Sequence, residues 1–296
     1  MIERILVLSE RRTFLQVHHE CLQVKVNGTV QASIPLPEVT VIVADGPETT
    51  FTQPALAGLA AHGGTCILCD EKHQPVGMIL PLQAHHLQVE RFARQARATH
   101  PTRKRLWQAI VKAKILSQDR SLARLDRADA LLPTLANKVR SGDPTNIEAQ
   151  AARRYWPLVF NDPQFRRDRK ASNQNRFLNY GYAVLRAMTA RAICAAGLHP
   201  GLGLHHHNRY STFPLADDLM EPFRSLVDVG IARQLQTLDP DSPLDATVKR
   251  AIIQPLLDRY DNGAETRSLW DWLARTASSL EKVFSKEARN LDIPAL

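Results

Sequence analysis

Imidazole and carboxylate side chains cluster in the stretch GLHHHNRYSTFPLADDLMEPFR, which runs from residue 203 to residue 224. Asp218 and Glu221 are three positions apart at the expected start of a helix, where their carboxylates would share one face. His206 precedes them across a loop and could reach back over the helix start. Oxygen ligands combined with a nitrogen ligand suit Mg²⁺ or Mn²⁺. The stretch is therefore a candidate divalent-metal site.

The same acids have a purely structural interpretation. An Asp-x-x-Glu pattern at a helix start also resembles a capping box, and acidic side chains near a helix N-terminus are stabilised by the helix dipole. Consecutive histidines also occur on protein surfaces without any role. From these residues alone, metal binding and helix capping both remain open.

A second carboxylate source lies in the stretch SGDPTNIEAQAARRYW, where Glu148 opens a predicted helix. The residues that follow it are small, which permits another helix to approach closely. Thr145 and Glu148 also fit a capping box, with Thr145 as the N-cap. Taken by itself, this pair is better explained by capping than by metal binding.

The chain is basic, with a formal charge of +8 and a pI near 9.5, which favours an anionic partner such as nucleic acid. Several cations lie near the candidate ligands in sequence, where they could hold a phosphate backbone beside a metal. These candidate DNA-binding residues are Arg153, Arg154, Arg166, Arg167, Arg169, Lys170, Arg209 and Arg224.

The sequence lacks the motifs of several other reaction classes. The sequence contains no P-loop, no G-x-G-x-x-G, no G-x-S-x-G and no H-E-x-x-H. Cys66 and Cys69 form a lone CxxC inside an apolar run that reads as a strand, where side chains three apart point to opposite faces and cannot share a metal. The N-terminus has no secretory pattern and no long apolar run is present, so we expect a cytoplasmic protein without a membrane span.

The hydrophobic pattern changes near residue 84. Period-two alternation before it predicts strands, and helical periodicity after it predicts about seven or eight helices. The expected fold class is α+β, with a small β-rich N-terminal domain over residues 1–84 and a larger all-α catalytic domain over residues 85–296. The stretch PLQAHH, which begins at Pro81, is the expected joint.

Two local predictions concern the N-terminal domain. Around Asn27-Gly28 we expect a hairpin with a three-residue loop that pairs Val24 with Val30 and Leu22 with Ala32, because a two-residue loop would oppose the apolar faces. A short helix is expected from Gln53 to His62, with Thr52 as N-cap, Pro54 in the first turn and Gly63 beyond its end.

Three blocks of the sequence resemble the family of CRISPR-associated spacer integrases and endonucleases, Cas protein number one. They are NIEAQAARRYW around Glu148, NRFLNYGYAVLRA from residue 175 to residue 187, and the histidine-rich stretch above. The compact length and these blocks look most like the form found with type II CRISPR systems. The resemblance implies that Glu148, His206 and Glu221 are the catalytic metal ligands for Mg²⁺ or Mn²⁺, with Asp218 as an auxiliary acid. A slip of one residue to His205 or His207 stays open.

The family's reaction inserts short foreign DNA into the CRISPR array, as a DNA 3′-hydroxyl attacks a phosphodiester of the repeat. The resemblance therefore implies that the partners are double-stranded spacer-precursor and repeat DNA, a second copy of the chain joined through the N-terminal domain, and a second Cas adaptation subunit in a heterohexamer. In type II systems, the effector nuclease and an accessory subunit also take part. The competing hypotheses are a non-catalytic basic DNA-binding scaffold and, less favoured, a zinc hydrolase that uses the three histidines.

Overall fold

The computed structural model describes residues 3–71, 75–81, 85–168, 170–171, 173–206, 212–294 and 296. The β-rich part precedes residue 82 and the mostly helical part follows residue 84, as expected for an α+β chain. The N-terminal elements are β1 (Arg4–Leu8), β2 (Thr13–His18), β3 (Cys21–Val26), β4 (Thr29–Pro35), β5 (Val39–Ala44), β6 (Thr50–Phe51), α1 (Gln53–Ala61), β7 (Thr65–Cys69) and β8 (Pro75–Ile79).

The remaining elements are α2 (Gln88–Ala96), α3 (His100–Ala123), α4 (Leu131–Lys138), α5 (Ile147–Phe160), α6 (Asn175–Ala195), α7 (Pro214–Leu219), α8 (Arg224–Gln234), α9 (Ala246–Leu257), β9 (Arg259–Asp261), β10 (Thr266–Ser268) and α10 (Leu269–Phe284). Among the described residues, nine α-helices follow residue 84, one more than the seven or eight that were expected. The described residues also contain an antiparallel hairpin, β9–β10, so the expectation of an all-α region after residue 84 is wrong at this point. None of the described helices is long and apolar enough to cross a membrane.

The N-terminal strands form two four-stranded sheets. In the first, the order is β1-β5-β7-β8, with β8 antiparallel to its neighbour and the other pairs parallel. In the second, the order is β4-β3-β2-β6, and β2, β3 and β4 form an antiparallel meander. The six residues of β5 are all buried, as expected for a continuous apolar run inside a sheet.

The expected register of the β3–β4 hairpin is wrong. The loop is the two-residue Asn27-Gly28 turn, with both residues at positive φ, and Lys25 pairs with Val30. An irregularity between Val24 and Lys25 then shifts the pairing, so that Val24 faces Ala32. This shift places Val24 and Leu22 opposite Ala32 and Ile34 on the core-facing side, whereas Val30 stays exposed beside Lys25. The two-residue turn was expected to oppose the apolar faces only because a β-bulge was not allowed for.

The predicted short helix is confirmed as α1. The hydroxyl of Thr52 accepts a hydrogen bond from the Ala55 N–H, and Gly63 follows the helix with a φ of 75°. The CxxC interpretation is also confirmed: Cys66 packs in the core between the sheets, whereas Cys69 contacts the core of the helical part, so the two thiols lie on opposite faces of β7.

The first sheet lies between two hydrophobic cores. One face packs against the second sheet and α1, and its opposite face contributes Val41, Val43 and Ile67 to the large core of the helices. A buried ion pair between Asp45, directly after β5, and Lys249 on α9 also joins the two parts. The helical part therefore packs directly on the sheet that precedes it in the chain.

Candidate metal site between α3, α5 and the α7–α8 turn

Glu148 lies in the first turn of α5, but it does not cap that helix. The N-cap is Asn146, whose side-chain oxygen accepts a hydrogen bond from the Ala149 N–H, and Asp143 accepts from the N–H groups of Ile147 and Glu148. The expected capping box with Thr145 as N-cap is therefore wrong. Because other side chains satisfy these N–H groups, the Glu148 carboxylate is directed to a different partner, the ammonium of Lys114, 2.5 Å away.

Glu221 lies in a single 3₁₀ turn, Glu221–Phe223, between α7 and α8. Asp218 is near the end of α7, so the expectation that both acids open one helix is wrong. The Glu221 carboxylate is 4% exposed and contacts the Lys114 ammonium at 2.6 Å and the Arg224 guanidinium at 3.1 Å. Burial by itself would raise the pKa of Glu221, but Arg224 and Lys114 outweigh it and hold the pKa at about 2.

Lys114 joins the two acids. It lies midway along α3, and its ammonium lies within ion-pair distance of Glu148 and Glu221, which come from elements far apart in sequence. Burial lowers the pKa of Lys114, yet the two carboxylates more than compensate, so its pKa is raised and it stays charged. The helices therefore bring together, around one cation, the two glutamates that the resemblance implied to be ligands.

Lys114 was not among the predicted site residues, although the sequence contains a signal for it. Lys114 lies one helical turn after Val111 and two turns after Trp107, on a stripe of α3 that is apolar up to that point and is buried in the structure. A charged residue on an otherwise buried stripe indicates a partner of opposite charge. That signal could have identified the lysine but not the two carboxylates it contacts.

Asp218 organises the histidine-bearing loop. Its carboxylate is fully buried and accepts hydrogen bonds from the backbone N–H groups of Leu204, His205 and His206, at 2.6, 3.1 and 3.2 Å. The same carboxylate lies 2.6 Å from Nδ1 of His206. Asp218 thus fixes both the backbone of this loop and the ring of one histidine, which is a more specific role than helix capping.

His206 is the histidine that Asp218 contacts, and this contact raises its pKa; Glu221 adds a smaller effect in the same direction. The ring of His205 instead stacks on Trp107, with centroids 4.1 Å apart and planes 3° from parallel. His207 lies outside the described residues. The geometry is consistent with the assignment of His206, which stays a prediction.

The donor set suits a hard divalent cation. Two carboxylates converge on one positive charge. A carboxylate contacts Nδ1 of the nearby histidine, and such a carboxylate–histidine pair is common where the other ring nitrogen binds a metal. Within the described part of the chain, however, no three His, Cys, Asp or Glu side chains already lie close enough to hold an ion. An ion at Glu148 and Glu221 therefore requires the Lys114 ammonium to move.

The cations predicted to bind DNA have different surroundings. Arg154 forms an ion pair with Asp129, Arg167 donates hydrogen bonds to Asn175 and Asn179, and Arg224 contacts Glu221. These three guanidinium groups bond other parts of the protein. Arg153, Arg166 and Lys170 are exposed, whereas Arg169 and Arg209 lie outside the described residues.

A basic groove that sequence reasoning did not find lies between the start of α3 and the end of α10. Its volume is about 760 Å³. Its charged lining comprises Arg94, Arg97, Arg105, Lys286, Arg289 and a single acid, Glu287. The residues come from distant parts of the sequence, so no local run of charge predicts the groove.

A buried hydrogen-bond network links the helices around the candidate metal site. The Asp228 carboxylate on α8 accepts hydrogen bonds from Tyr155 on α5 and Tyr182 on α6. The Arg224 guanidinium lies over the Tyr182 ring, 4.9 Å from its centroid. The network therefore connects the helix that carries Glu148 to the helix that follows Glu221.

Solved structures share this architecture. A casposase bound to its integration product superposes with a TM-score of 0.81 at 19% identity, over 98% of this chain and 92% of that one. A chain of a Cas6-RT-Cas1–Cas2 complex matches with a TM-score of 0.74 at 21% identity, over 96% of this chain and 35% of that one. At these identities the likeness defines the fold class: that of casposases and Cas1 proteins.

The sequence comparisons are more specific. The family described as CRISPR associated protein Cas1 matches residues 6–239. The CRISPR-associated endonuclease Cas1 of Neisseria meningitidis serogroup C (strain 8013) is 35% identical over 285 residues, which cover 95% of this chain and 93% of that protein. The chain belongs to the Cas1 family, and the resemblance to its type II form is confirmed.

Proposed function

We propose that this chain is a divalent-metal-dependent DNA integrase and endonuclease of CRISPR adaptation. The observation that carries the proposal is the convergence of Glu148 and Glu221, from separate elements, on one cation, while the Asp218 carboxylate holds the ring of His206. Its relative from Neisseria meningitidis is named an endonuclease, and the similar casposase structure contains an integration product. Both support this class of reaction.

In the proposed reaction, a 3′-hydroxyl of the incoming DNA attacks a phosphodiester of the CRISPR repeat. A new P–O bond forms to the attacking oxygen as the P–O bond to the leaving 3′-oxygen breaks, and the attacking hydroxyl gives up its proton while the leaving oxygen gains one. Mg²⁺ or Mn²⁺ would supply Lewis-acid activation of the hydroxyl and charge neutralisation at phosphorus.

The protein's own residues would bind and orient the DNA. Glu148, Glu221 and His206 would hold the ion, while Asp218 keeps the His206 ring in position. Arg224 lies beside Glu221 and adds positive charge near the reacting phosphate. The basic groove and the exposed Arg153 offer cations to phosphates without reading base sequence.

We also propose that the chain works as a homodimer, joined through the β-rich part, in a heterohexamer with the second adaptation subunit. The similar Cas6-RT-Cas1–Cas2 complex supports such a partner. For a type II form, the effector nuclease and its accessory subunit would join the assembly.

The first prediction concerns the three ligands. Glu148→Gln, Glu221→Gln and His206→Ala should each lower strand transfer at least about 100-fold, because each removes a ligand from the activating ion. Integration of a labelled duplex into a repeat-containing plasmid, with Mn²⁺ or with EDTA, measures this. Asp241→Asn, at an exposed residue of the loop between α8 and α9, removes one carboxylate and is the matched surface control that leaves the ligands intact.

The scaffold and zinc alternatives make different predictions. A non-catalytic scaffold would give no metal-dependent product, and its DNA affinity would be the only measurable property. A zinc hydrolase would lose activity with a zinc-selective chelator and regain it with Zn²⁺. Wild-type integration by His206→Ala would contradict the ligand assignment.

A further inference from the structure

The two candidate ligand carboxylates are bridged by a lysine of the same chain. The Lys114 ammonium lies 2.5 Å from one oxygen of Glu148 and 2.6 Å from one oxygen of Glu221. Its side chain is 15% exposed, so water screens these contacts only weakly. Mg²⁺ binds carboxylate oxygens at about 2.0–2.1 Å, so an ion shared by these two acids requires nearly the same space.

Lys114 differs from the other cation at this site. Arg224 contacts Glu221 and also lies over the Tyr182 ring, so it is held on two sides. Within the described part of the chain, the Lys114 ammonium contacts the two carboxylates. A lysine has a flexible four-carbon stem and a compact charge, so its ammonium can withdraw without moving α3.

The charge balance of the site favours exchange of the Lys114 ammonium for a divalent ion. Two carboxylates, Glu148 and Glu221, are balanced by Lys114 and Arg224. If a divalent ion takes the position of the ammonium while Arg224 stays, the site gains positive charge when an anionic phosphodiester must bind. An ammonium and a divalent ion cannot share this position, because like charges at that distance repel strongly.

We propose that Lys114 is an internal cation that competes with the divalent ion for Glu148 and Glu221, and that the ion displaces it on binding. The inference rests on the proposed function, because it takes these two glutamates as ligands. Lys114 is thus a positioning residue: it holds the two carboxylates together against their mutual repulsion and is exchanged for the ion.

Direct metal binding tests this competition. Mn²⁺ titration of the full chain, followed by the EPR signal of free Mn²⁺, compares wild type with Lys114→Met. Removal of the competitor should tighten Mn²⁺ binding about tenfold or more. Lys112→Met, two positions away on the same helix, should leave the affinity unchanged. Equal or weaker binding by Lys114→Met would overturn the proposal.

A second measurement uses the wild-type protein and needs no folded variant. Lysine acylation followed by mass spectrometry reports how accessible each ammonium is. Saturating Mn²⁺ should raise the modification rate of Lys114 several-fold and leave that of Lys112 unchanged. An unchanged or lower rate at Lys114 would show that the ammonium stays between the carboxylates.

The two proposals fail in distinguishable ways. If wild type binds Mn²⁺ and Glu148→Gln abolishes that binding, but neither Lys114 measurement responds, only the competition is wrong. If neither wild type nor Lys114→Met binds Mn²⁺ at a site that Glu148→Gln removes, the metal site fails and the competition fails with it.

Discussion

At the scale of single residues, Asp218 is the side chain whose role is most clearly determined by geometry. Its buried carboxylate accepts three backbone N–H groups and contacts the ring of His206. In Asp218→Asn, one oxygen becomes an NH₂ group that cannot accept, so at least one N–H loses its partner. The loop around residues 204–206 should then loosen, and the imidazole should lose its fixed orientation.

We therefore expect Asp218→Asn to lower strand transfer and Mn²⁺ affinity by about 10–100-fold. This range is typical when a residue that hydrogen-bonds to a metal ligand is replaced. Integration assays and the Mn²⁺ titration measure the two effects. Asp217→Asn is the control: Asp217 lies on the same helix but forms an ion pair with Arg186. Parallel losses in both variants would indicate general damage to α7 rather than a role for Asp218.

At the scale of elements, Asp228 couples three helices and makes stability depend on pH. Burial raises its pKa to about 6, because the hydrogen bonds from Tyr182 and Tyr155 only partly oppose the cost of burying charge. The ordinary value is 3.8, so between about pH 4 and pH 6 the folded state holds a proton that the unfolded state has released. The contribution of Asp228 to the free energy of unfolding therefore falls as pH rises through this window.

Urea unfolding at several pH values from 4 to 7 should detect the contribution of Asp228 to the free energy of unfolding. Wild type should show a decline of up to about 1.4 kcal/mol per pH unit relative to Asp228→Asn, which cannot titrate. The comparison isolates one group from the other carboxylates that titrate nearby. Identical pH dependence in the two proteins would show that the pKa of Asp228 is not raised.

At the scale of the whole molecule, a buried ion pair joins the sheet to the helical part. Lys249 and Asp45 are 1% and 4% exposed, and each satisfies the charge of the other. Removing one partner leaves an uncompensated buried charge, so Lys249→Met should lower the free energy of unfolding by about 3–5 kcal/mol. Denaturant unfolding measures the loss.

The double variant Lys249→Met with Asp45→Asn should recover a large part of that loss, since no full charge is then left buried. Recovery distinguishes an unpaired charge from a simple packing defect, which the second change would not repair. Neither Lys249 nor Asp45 is a candidate ligand, so any loss of integration activity should follow the loss of folded protein.

The sequence by itself determined much of this protein. Apolar periodicity located the longer strands of the N-terminal part and the change to helices near residue 84, and Thr52 and Gly63 located the ends of α1, because these features depend on short-range pattern and local backbone chemistry. The residue blocks identified the family, and with it Glu148, His206 and Glu221 as candidate ligands. The hairpin register was wrong because a bulge, rather than loop length, aligns the apolar faces of β3 and β4.

Only the tertiary structure decided which charges meet. Lys114 contacts carboxylates from α5 and the α7–α8 turn, Asp218 binds the loop that precedes it, and Arg167 and Arg154 bond other parts of the protein. The basic groove likewise joins α3 to the end of α10. Residue type and spacing show that a side chain can carry charge, but long-range packing brings its partner within the few ångströms at which electrostatic attraction outweighs desolvation.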